Sequence, residues 1–238
     1  MKTIALLGAA TLGLAVAGPA SADTLLYTND FDGNEYIAPG LGVTALTNGG
    51  LEATATFGNW SGFYFANRTM GNPASPSELT LSNLAAHTQV TVSFVAGFLE
   101  SWDSRDGSCC SPDNLDFLVD GVVVASFTAN NALGSIEDFG GGTILGRYVQ
   151  ANANTFYTDT IVDMDGIPAL TFSHAGSTLT LALRASGEGW QGDTDEAWGI
   201  DALSVRYDGA APVPEPSTWA MMVLGVGALA GAVRRRRG

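Results

Sequence analysis

Short apolar runs that alternate with polar residues recur from residue 24 onwards, and they constrain the fold more than any other feature of the sequence. Clusters of Gly, Asn, Asp, Ser and Pro separate these runs, and no amphipathic helix of ordinary length interrupts them. Such a pattern is typical of β-sandwiches. It predicts an all-β, two-sheet β-sandwich over residues 23–209, with strands at 24–27, 51–57, 62–66, 77–81, 89–98, 116–119, 122–128, 155–162, 169–173, 177–185 and 200–207.

Local signals support this fold class. Asp120-Gly121 separates two apolar triplets, 117–119 and 122–124, and it is a two-residue hairpin signal because Asp and Gly tolerate the positive φ angles of such a turn. Alternation along 90–94 and 179–183 predicts one apolar face on each of those strands. The glycine-rich span 130–146 is expected to be either a surface loop or a lid.

The N-terminus has the features of a secretory signal peptide. Lys2 supplies a short positive region, residues 4–16 are apolar, and Ala20-Ser21-Ala22 is a small-residue cleavage site. We predict a signal peptide over residues 1–22, with cleavage after Ala22. A retained N-terminal anchor is the alternative.

The C-terminus predicts a membrane segment. A linker, 210–217, ends in Pro214-Glu215-Pro216-Ser217, whose two prolines block a helix, and an uncharged apolar stretch follows it. We predict a single transmembrane helix over residues 218–233 and a cytoplasmic basic tail over 234–238, because a terminal arginine run is typical of the cytoplasmic side. A buried core helix is the alternative. The basic anchor consists of Arg234, Arg235, Arg236 and Arg237.

The order of a proline motif, an apolar helix and an arginine cluster resembles the PEP-CTERM sorting signal of Gram-negative bacteria. The motif residues are Val213, Pro214, Glu215, Pro216 and Ser217. This resemblance implies recognition by the membrane processing enzyme called exosortase. It also implies membrane anchoring through the C-terminus, followed by delivery to the cell envelope, the outer surface or the extracellular matrix. Whether the tail is cleaved stays open.

Charge limits the partners of the predicted domain. Residues 23–209 contain five arginines, no lysine and 23 of the 24 acidic residues. A nucleic-acid partner is not expected on this ground, since phosphate binding depends on basic residues, whereas cations are natural partners. The two cysteines, Cys109 and Cys110, are adjacent and cannot link distant strands. They form a vicinal disulfide, a link to another chain or two free thiols.

Three acidic groups are candidates for chemistry. Asp201 is the informative position, because in the predicted strand 200–207 it shares a face with Leu203 and Val205, which we expect to be buried. A buried carboxylate needs backbone donors, an arginine or a hard cation. Taken alone, the other acidic residues are expected to lie in solvated loops. The three groups are Asp30, Asp32 and Glu35; Asp103, Asp113 and Asp116; and Asp193, Asp195, Glu196 and Asp201.

The segment 198–205 and the early Asp-Phe-Asp segment resemble jelly-roll domains of the carbohydrate-binding-module type. In that group a calcium ion often joins the first strand to an aspartate that begins the last strand. The resemblance therefore implies a jelly-roll-like sandwich with a structural calcium at Asp30 or Asp32 together with Asp201.

Aromatic residues are the candidates for ligand contact. Large aromatics in a sandwich are more often core residues, but Trp102 and Trp190 lie in predicted acidic or glycine-rich loops and are the expected ligand-binding positions. His87 and His174 lie in predicted turns, and the sequence contains neither Gly-x-Ser-x-Gly nor His-Glu-x-x-His. The chain is therefore expected not to be an enzyme.

Together these features predict an exported, non-enzymatic β-sandwich that binds polysaccharide or contributes to the extracellular matrix. A secreted glycan hydrolase and a purely structural surface protein are the alternatives. A glycan array and a turnover assay separate the three.

Overall fold

A computed structural model describes residues 23–106, 109–153 and 156–209 of the protein. Apart from one short 3-10 helix, Pro168–Leu170, the regular elements of these residues are β-strands, so the all-β prediction is confirmed. In chain order the strands are β1 (Asp23–Asn29), β2 (Glu35–Ile37), β3 (Gly42–Thr44), β4 (Gly50–Phe57), β5 (Trp60–Asn67), β6 (Ser77–Ser82), β7 (His87–Glu100), β8 (Asn114–Val119), β9 (Val122–Phe127), β10 (Thr143–Val149), β11 (Asp159–Asp163), β12 (Thr171–Ser173), β13 (Thr178–Ser186) and β14 (Glu196–Gly209).

The strands form two antiparallel sheets. The larger sheet has the order β10-β11-β7-β14-β1-β2, with β12 paired to β7, β5 paired to β14, and β4 paired to β5. The smaller sheet has the order β3-β6-β13-β8-β9. The long strands β7 and β14 pair from Glu196 opposite Glu100 to Gly209 opposite His87, and this pair forms the middle of the larger sheet.

The main core contains apolar side chains of both sheets. The predicted alternation is confirmed, because Val90, Val92 and Phe94 of β7 are all buried in this core. Leu179, Leu181 and Leu183 of β13 are buried there too. Removing these side chains from water supplies the main driving force for packing one sheet on the other.

A second, smaller core lies on the opposite face of the larger sheet. Trp60 and Tyr64 of β5 are fully buried there, with ring centroids 4.5 Å apart. They reach the sheet because glycines lie beneath them: a Cβ added at Gly97 would lie 2.5 Å from the Trp60 ring, and one at Gly199 would lie 2.5 Å from the Tyr64 ring. The two glycines are therefore required by close packing.

The hairpin prediction is confirmed, and three strands, β2, β3 and β10, were missed. Asp120 and Gly121 join β8 to β9 with φ angles of 49° and 80°, as a two-residue turn with two positive φ angles requires. β2 and β3 have three residues each, too few to show alternation. β10 begins inside the span predicted as loop or lid, and its pairing with β11 is irregular on both sides of Gly146.

The predicted terminal segments, namely the signal peptide (1–22), the linker (210–217), the transmembrane helix (218–233) and the basic tail (234–238), lie outside the described residues. Within the described ranges, no helix is long and apolar enough to cross a membrane. Cys109 and Cys110 are free and exposed, with their Sγ atoms 3.2 Å apart.

The substitution Gly97→Ala tests the close packing beneath Trp60. We expect it to lower the free energy of unfolding by about 1–3 kcal/mol, because the added methyl group overlaps the indole ring. Gly50→Ala in β4 is the matched control: a Cβ there meets no atom within 4 Å, so its stability should stay equal to the wild type or rise slightly. Urea unfolding measures both, and equal stabilities of the two variants would contradict the packing argument.

Candidate functional site

Asp201 is buried, as predicted, but it faces the opposite side of the sheet from the expected one. Its carboxylate is 1% exposed and accepts hydrogen bonds from the backbone N–H groups of Ser61 (2.9 Å) and Ala202 (2.6 Å). A bulge in the β7–β14 pairing between Asp201 and Ser204 changes the alternation, so that Ile200 and Leu203 both face the main core. The prediction that Asp201 shares a face with Leu203 was therefore wrong.

Backbone donors, one of the three alternatives left by the sequence, compensate this buried carboxylate in part. Burial raises the pKa of Asp201 to about 6, and the charges of Asp32 and Asp30 add to this rise, while the two N–H donors lower it. Asp201 thus lies within electrostatic reach of both residues predicted to share a calcium ion with it.

Asp30 and Asp32 order the loop that follows β1. Asp30 Oδ1 accepts the backbone N–H groups of Asp32 and Asn34, each at 3.0 Å, and Asp32 Oδ1 accepts the N–H of Phe63 at 2.8 Å. Asp32 and Asp201 therefore hold N–H groups two residues apart on β5. Calcium at Asp30 or Asp32 together with Asp201 stays a prediction. Among the described residues, the three carboxyl side chains whose oxygen atoms are close enough to bind one metal ion are Asp103, Asp113 and Glu196.

Trp102 and Trp190 are buried, so the expectation that they are exposed contact residues was wrong. Their exposed fractions are 0% and 6%, and their rings pack edge to face with centroids 5.4 Å apart. Trp102 Nε1 donates to the Ala197 carbonyl at 2.7 Å, and Trp190 Nε1 donates to the Thr69 carbonyl at 2.9 Å. Neither indole presents a face to a ligand, because both rings close the end of the main core.

The carboxyl cluster consists of Asp103, Asp113 and Glu196. One oxygen atom from each of the three lies within 4.8 Å of the other two. Asp103 follows β7, Glu196 begins β14, and Asp113 directly precedes β8. The cluster therefore joins two strands of the larger sheet to one strand of the smaller sheet.

Each of two cluster members has one satisfied oxygen and one unsatisfied oxygen. Asp113 Oδ2 accepts the N–H of Asp103 at 2.7 Å, and Glu196 Oε2 accepts the N–H of Gln191 at 2.6 Å. Among the described residues, Asp113 Oδ1 and Glu196 Oε1 have no hydrogen-bond partner, and no arginine forms an ion pair with either side chain. Both side chains are fully buried.

Burial makes these groups weak acids. It raises the pKa of Asp113 to about 7, the charge of Asp103 adds to this rise, and a side-chain hydrogen bond with Glu196 lowers it. Burial raises the pKa of Glu196 to about 8, and the charge of Asp113 adds to this rise. Burial also raises the pKa of Asp103 to about 6, while the Leu133 N–H lowers it. The cluster can therefore hold a proton or a cation near neutral pH, and since Asp113 and Glu196 are enclosed, they cannot flank a bound substrate.

An open cleft adjoins the cluster at Asp103. Its volume is about 460 Å³, and its wall includes the amides of Asn131 and Gln191. The Phe156 ring is 82% exposed and packs edge to face on Tyr157, with centroids 4.7 Å apart. The cleft is lined by Ser101, Asp103, Cys110, Asn131, Ala132, Leu133, Phe156, Tyr157, Thr158, Gln191 and Asp195.

The cluster combines members of two acidic groups that looked separate in the sequence. The expectation of solvated loops was wrong for Asp103, Asp113, Asp116 and Glu196, which are all buried. Asp116, the remaining member of its group, lies 3.5 Å from Arg184. The only signal in the sequence is that each cluster residue lies next to an apolar strand, where a side chain can turn towards the core.

Comparison with known protein families identifies a sorting motif at the C-terminus. Residues 212–237 match the PEP-CTERM protein-sorting motif, so the protein is a β-sandwich that carries this C-terminal motif. The motif implies export and C-terminal anchoring, and processing by exosortase. No curated protein matches the chain.

Two solved structures resemble the fold. One is the CBM22-1 xylan-binding domain of Xyn10C from Paenibacillus barcinonensis, which is 17% identical, covers 81% of this chain and 99% of that chain, and has a TM-score of 0.36. The other is the K2 cleaved adhesin domain of Lys-gingipain, which is 13% identical, with 78% and 99% covered and a TM-score of 0.30. These similarities concern the fold alone.

The raised pKa values predict a pH-dependent stability. In buffer with EDTA, we expect the free energy of unfolding to fall as the pH rises from about 4 through about 8. The folded protein holds protons on Asp103, Asp113 and Glu196 that the unfolded chain has already released, so raising the pH removes this stabilisation. Each proton contributes a slope of at most about 1.4 kcal/mol per pH unit.

Urea unfolding at several pH values measures this slope. The double variant Asp113→Asn, Glu196→Gln should have a flatter profile, because its amides do not titrate. Asp193→Asn removes an exposed charge outside the cluster and should keep the wild-type slope. A double variant with an unchanged slope would show that other groups cause the pH dependence.

Proposed function

We propose that this protein is an exported, non-enzymatic β-sandwich that binds polysaccharide at the cell envelope or in the extracellular matrix of a Gram-negative bacterium. The sorting motif at residues 212–237 supports the destination. Binding is proposed at the cleft beside Asp103. Exosortase is the proposed processing partner, and the C-terminal helix is the proposed membrane anchor.

The exposed ring of Phe156 at a polar cleft is the observation that carries polysaccharide binding. An aromatic ring exposed to water costs hydration free energy, and the C–H face of a sugar packs well against it. Amides and carboxylates that line the same cleft, including Asn131, Gln191 and Asp195, can bind the sugar hydroxyl groups. Few placed polar groups beside an aromatic surface are typical of small-molecule sites.

Charge favours a neutral polysaccharide as the ligand. The protein has a formal net charge of −14, and Asp103 and Asp195 lie in the cleft wall. An anionic polymer would be repelled by this surface, whereas a neutral one is indifferent to it. A uronic-acid polymer is therefore the less favoured ligand class.

Binding is favoured over hydrolysis, the alternative function. A glycosidase needs two carboxyl groups that flank the scissile bond. The carboxyls with the highest pKa values near the cleft, Asp113 and Glu196, are fully buried and cannot reach a bound chain. A purely structural surface protein is the remaining alternative, and it would bind no glycan.

The aromatic surface of the cleft is tested with Phe156→Ala. We expect this change to weaken binding of the best neutral oligosaccharide from a glycan array about tenfold, which equals about 1.4 kcal/mol. Phe63→Ala is the matched control, since Phe63 is 48% exposed on β5 and does not line the cleft. Calorimetric titration measures both. Absence of binding to every neutral glycan would favour the structural role, and release of reducing ends would favour the hydrolase.

The sorting motif is tested in the native cells with the triple variant Pro214→Ala, Glu215→Ala, Pro216→Ala. We expect wild-type protein to lose residues 1–22 and the apolar tail and to reach the outer surface or medium, while the variant stays in the membrane. Intact mass and cell fractionation measure this. An uncut C-terminus in both proteins would mean that the segment is an anchor and not a processed signal.

A further inference from the structure

The carboxyl cluster has no part in the proposed contact with polysaccharide. We propose that Asp103, Asp113 and Glu196 bind one calcium ion. This site shares no residue with the calcium site predicted around Asp201. This inference goes beyond the proposed function and does not depend on it.

Two buried oxygen atoms without partners point to a ligand. Asp113 and Glu196 are both 0% exposed, and one oxygen of each accepts a backbone N–H. The other oxygen of each, Asp113 Oδ1 and Glu196 Oε1, has no hydrogen-bond partner among the described residues. Native proteins satisfy nearly all buried polar atoms, so these two oxygens must either share a proton with each other or bind a ligand.

The surrounding cations of the protein are engaged elsewhere. Arg68 pairs with Glu52 and Glu100, both at 2.8 Å, and Arg105 pairs with Asp138 at 3.2 Å. Two ionised carboxylates in contact inside a protein repel each other strongly unless positive charge lies between them. Since the described arginines do not supply that charge to Asp113 or Glu196, it must come from a proton or a metal ion.

The donor set selects a hard cation. All three donors are carboxylate oxygens, which suit calcium, whereas zinc and copper prefer nitrogen or sulfur. Oxygens bound to one calcium ion at about 2.3–2.6 Å lie at most about 5.2 Å apart, and the cluster oxygens lie within 4.8 Å of one another. Magnesium requires stricter octahedral geometry and keeps several waters, which an enclosed pair of carboxylates does not favour.

The nearby thiols do not change this assignment. Cys110 lines the adjoining cleft, but its hydrogen bond to Cys109 raises the pKa of its thiol to about 11. The thiol therefore stays protonated at neutral pH, and a protonated thiol is a poor metal ligand. Asp103 borders the cleft, so water can complete the coordination of the ion from that side.

Calcium at this position would tie the two sheets together at one end. It would link the residues after β7 and at the start of β14 to the residue before β8, across the rim of the main core. The ion would also fix Asp103 and hence part of the cleft wall. Binding to the folded state alone raises thermal stability by mass action.

The test uses the purified full chain, depleted of metal with EDTA and desalted. We expect calcium at a hundredfold excess over its Kd to raise the Tm by about 5–10 °C. Glu196→Gln should abolish this shift and weaken calcium binding at least about a hundredfold. This variant is suited to the test because its amide can donate a hydrogen bond to Asp113 Oδ1 and so satisfy the buried oxygen without metal.

Three control variants test whether the effect of calcium is specific to the carboxyl cluster. Asp193→Asn removes an exposed charge that lies outside the cluster, and Asn suits its φ of 56°, so it should bind calcium like the wild type. Cys109→Ser, Cys110→Ser should do so as well. Asp201→Asn reports on the other predicted calcium site, and bound calcium measured by mass spectrometry should fall by one ion in Glu196→Gln whether or not Asp201 is changed.

A second measurement needs no variant. Terbium replaces calcium in oxygen sites, and its emission is excited by indole rings close to the ion. Because Trp102 precedes Asp103 and packs on Trp190, terbium in the cluster should emit strongly on tryptophan excitation, and calcium should displace it. Absence of sensitised emission, or equal bound calcium in wild type and Glu196→Gln, would overturn the proposal and leave a shared proton as the partner of the two oxygens.

Discussion

The pairing of β7 with β14 is the interaction on which the rest of the structure depends. These two strands have fourteen residues each and lie in the middle of the larger sheet, where one face packs on the main core and the other face carries Trp60 and Tyr64. Each of the two candidate metal sites includes one carboxyl residue of β14, namely Glu196 in one site and Asp201 in the other. A shift of one residue in this register would exchange the two faces and move both carboxyls to other surroundings.

The sequence predicted the strands of this pair because their alternation is regular, but it did not predict where the alternation breaks. Val90, Val92 and Phe94 keep one face and were placed correctly. On β14 the bulge after Asp201 changes which residues face the main core. The sequence around Ala202 contains no signal for its positive φ of 49°. Short strands such as β2 and β3 have no period to detect, so their existence depends on neighbours that only the fold supplies.

The candidate site was predictable in its parts and not in its assembly. The acidic residues were visible, but Asp113 and Glu196 are far apart in the sequence and meet because β8 and β14 begin at the same rim. Composition misled the interpretation in the same region. Acidic and glycine-rich surroundings suggested that Trp102 and Trp190 are exposed, whereas the two rings fill the end of the core and their N–H groups find backbone carbonyls.

The protein has few arginines for its many carboxylates, so most acidic side chains cannot pair with an arginine. Of the five arginines between residues 23 and 209, Arg68, Arg105, Arg147 and Arg184 already pair with carboxylates, and Arg206 is exposed on β14. The buried carboxyls that pair with none of these arginines, such as Asp113, Glu196 and Asp201, must therefore use backbone donors, protons or cations. Asp201 has one N–H donor for each of its two oxygens, while Asp113 Oδ1 and Glu196 Oε1 in the cluster have no such donor among the described residues. Calcium sites of extracellular modules typically have Kd values of about 10⁻⁴–10⁻³ M. The same acidity that argues against a nucleic-acid partner leaves cations as natural partners for these buried carboxyls.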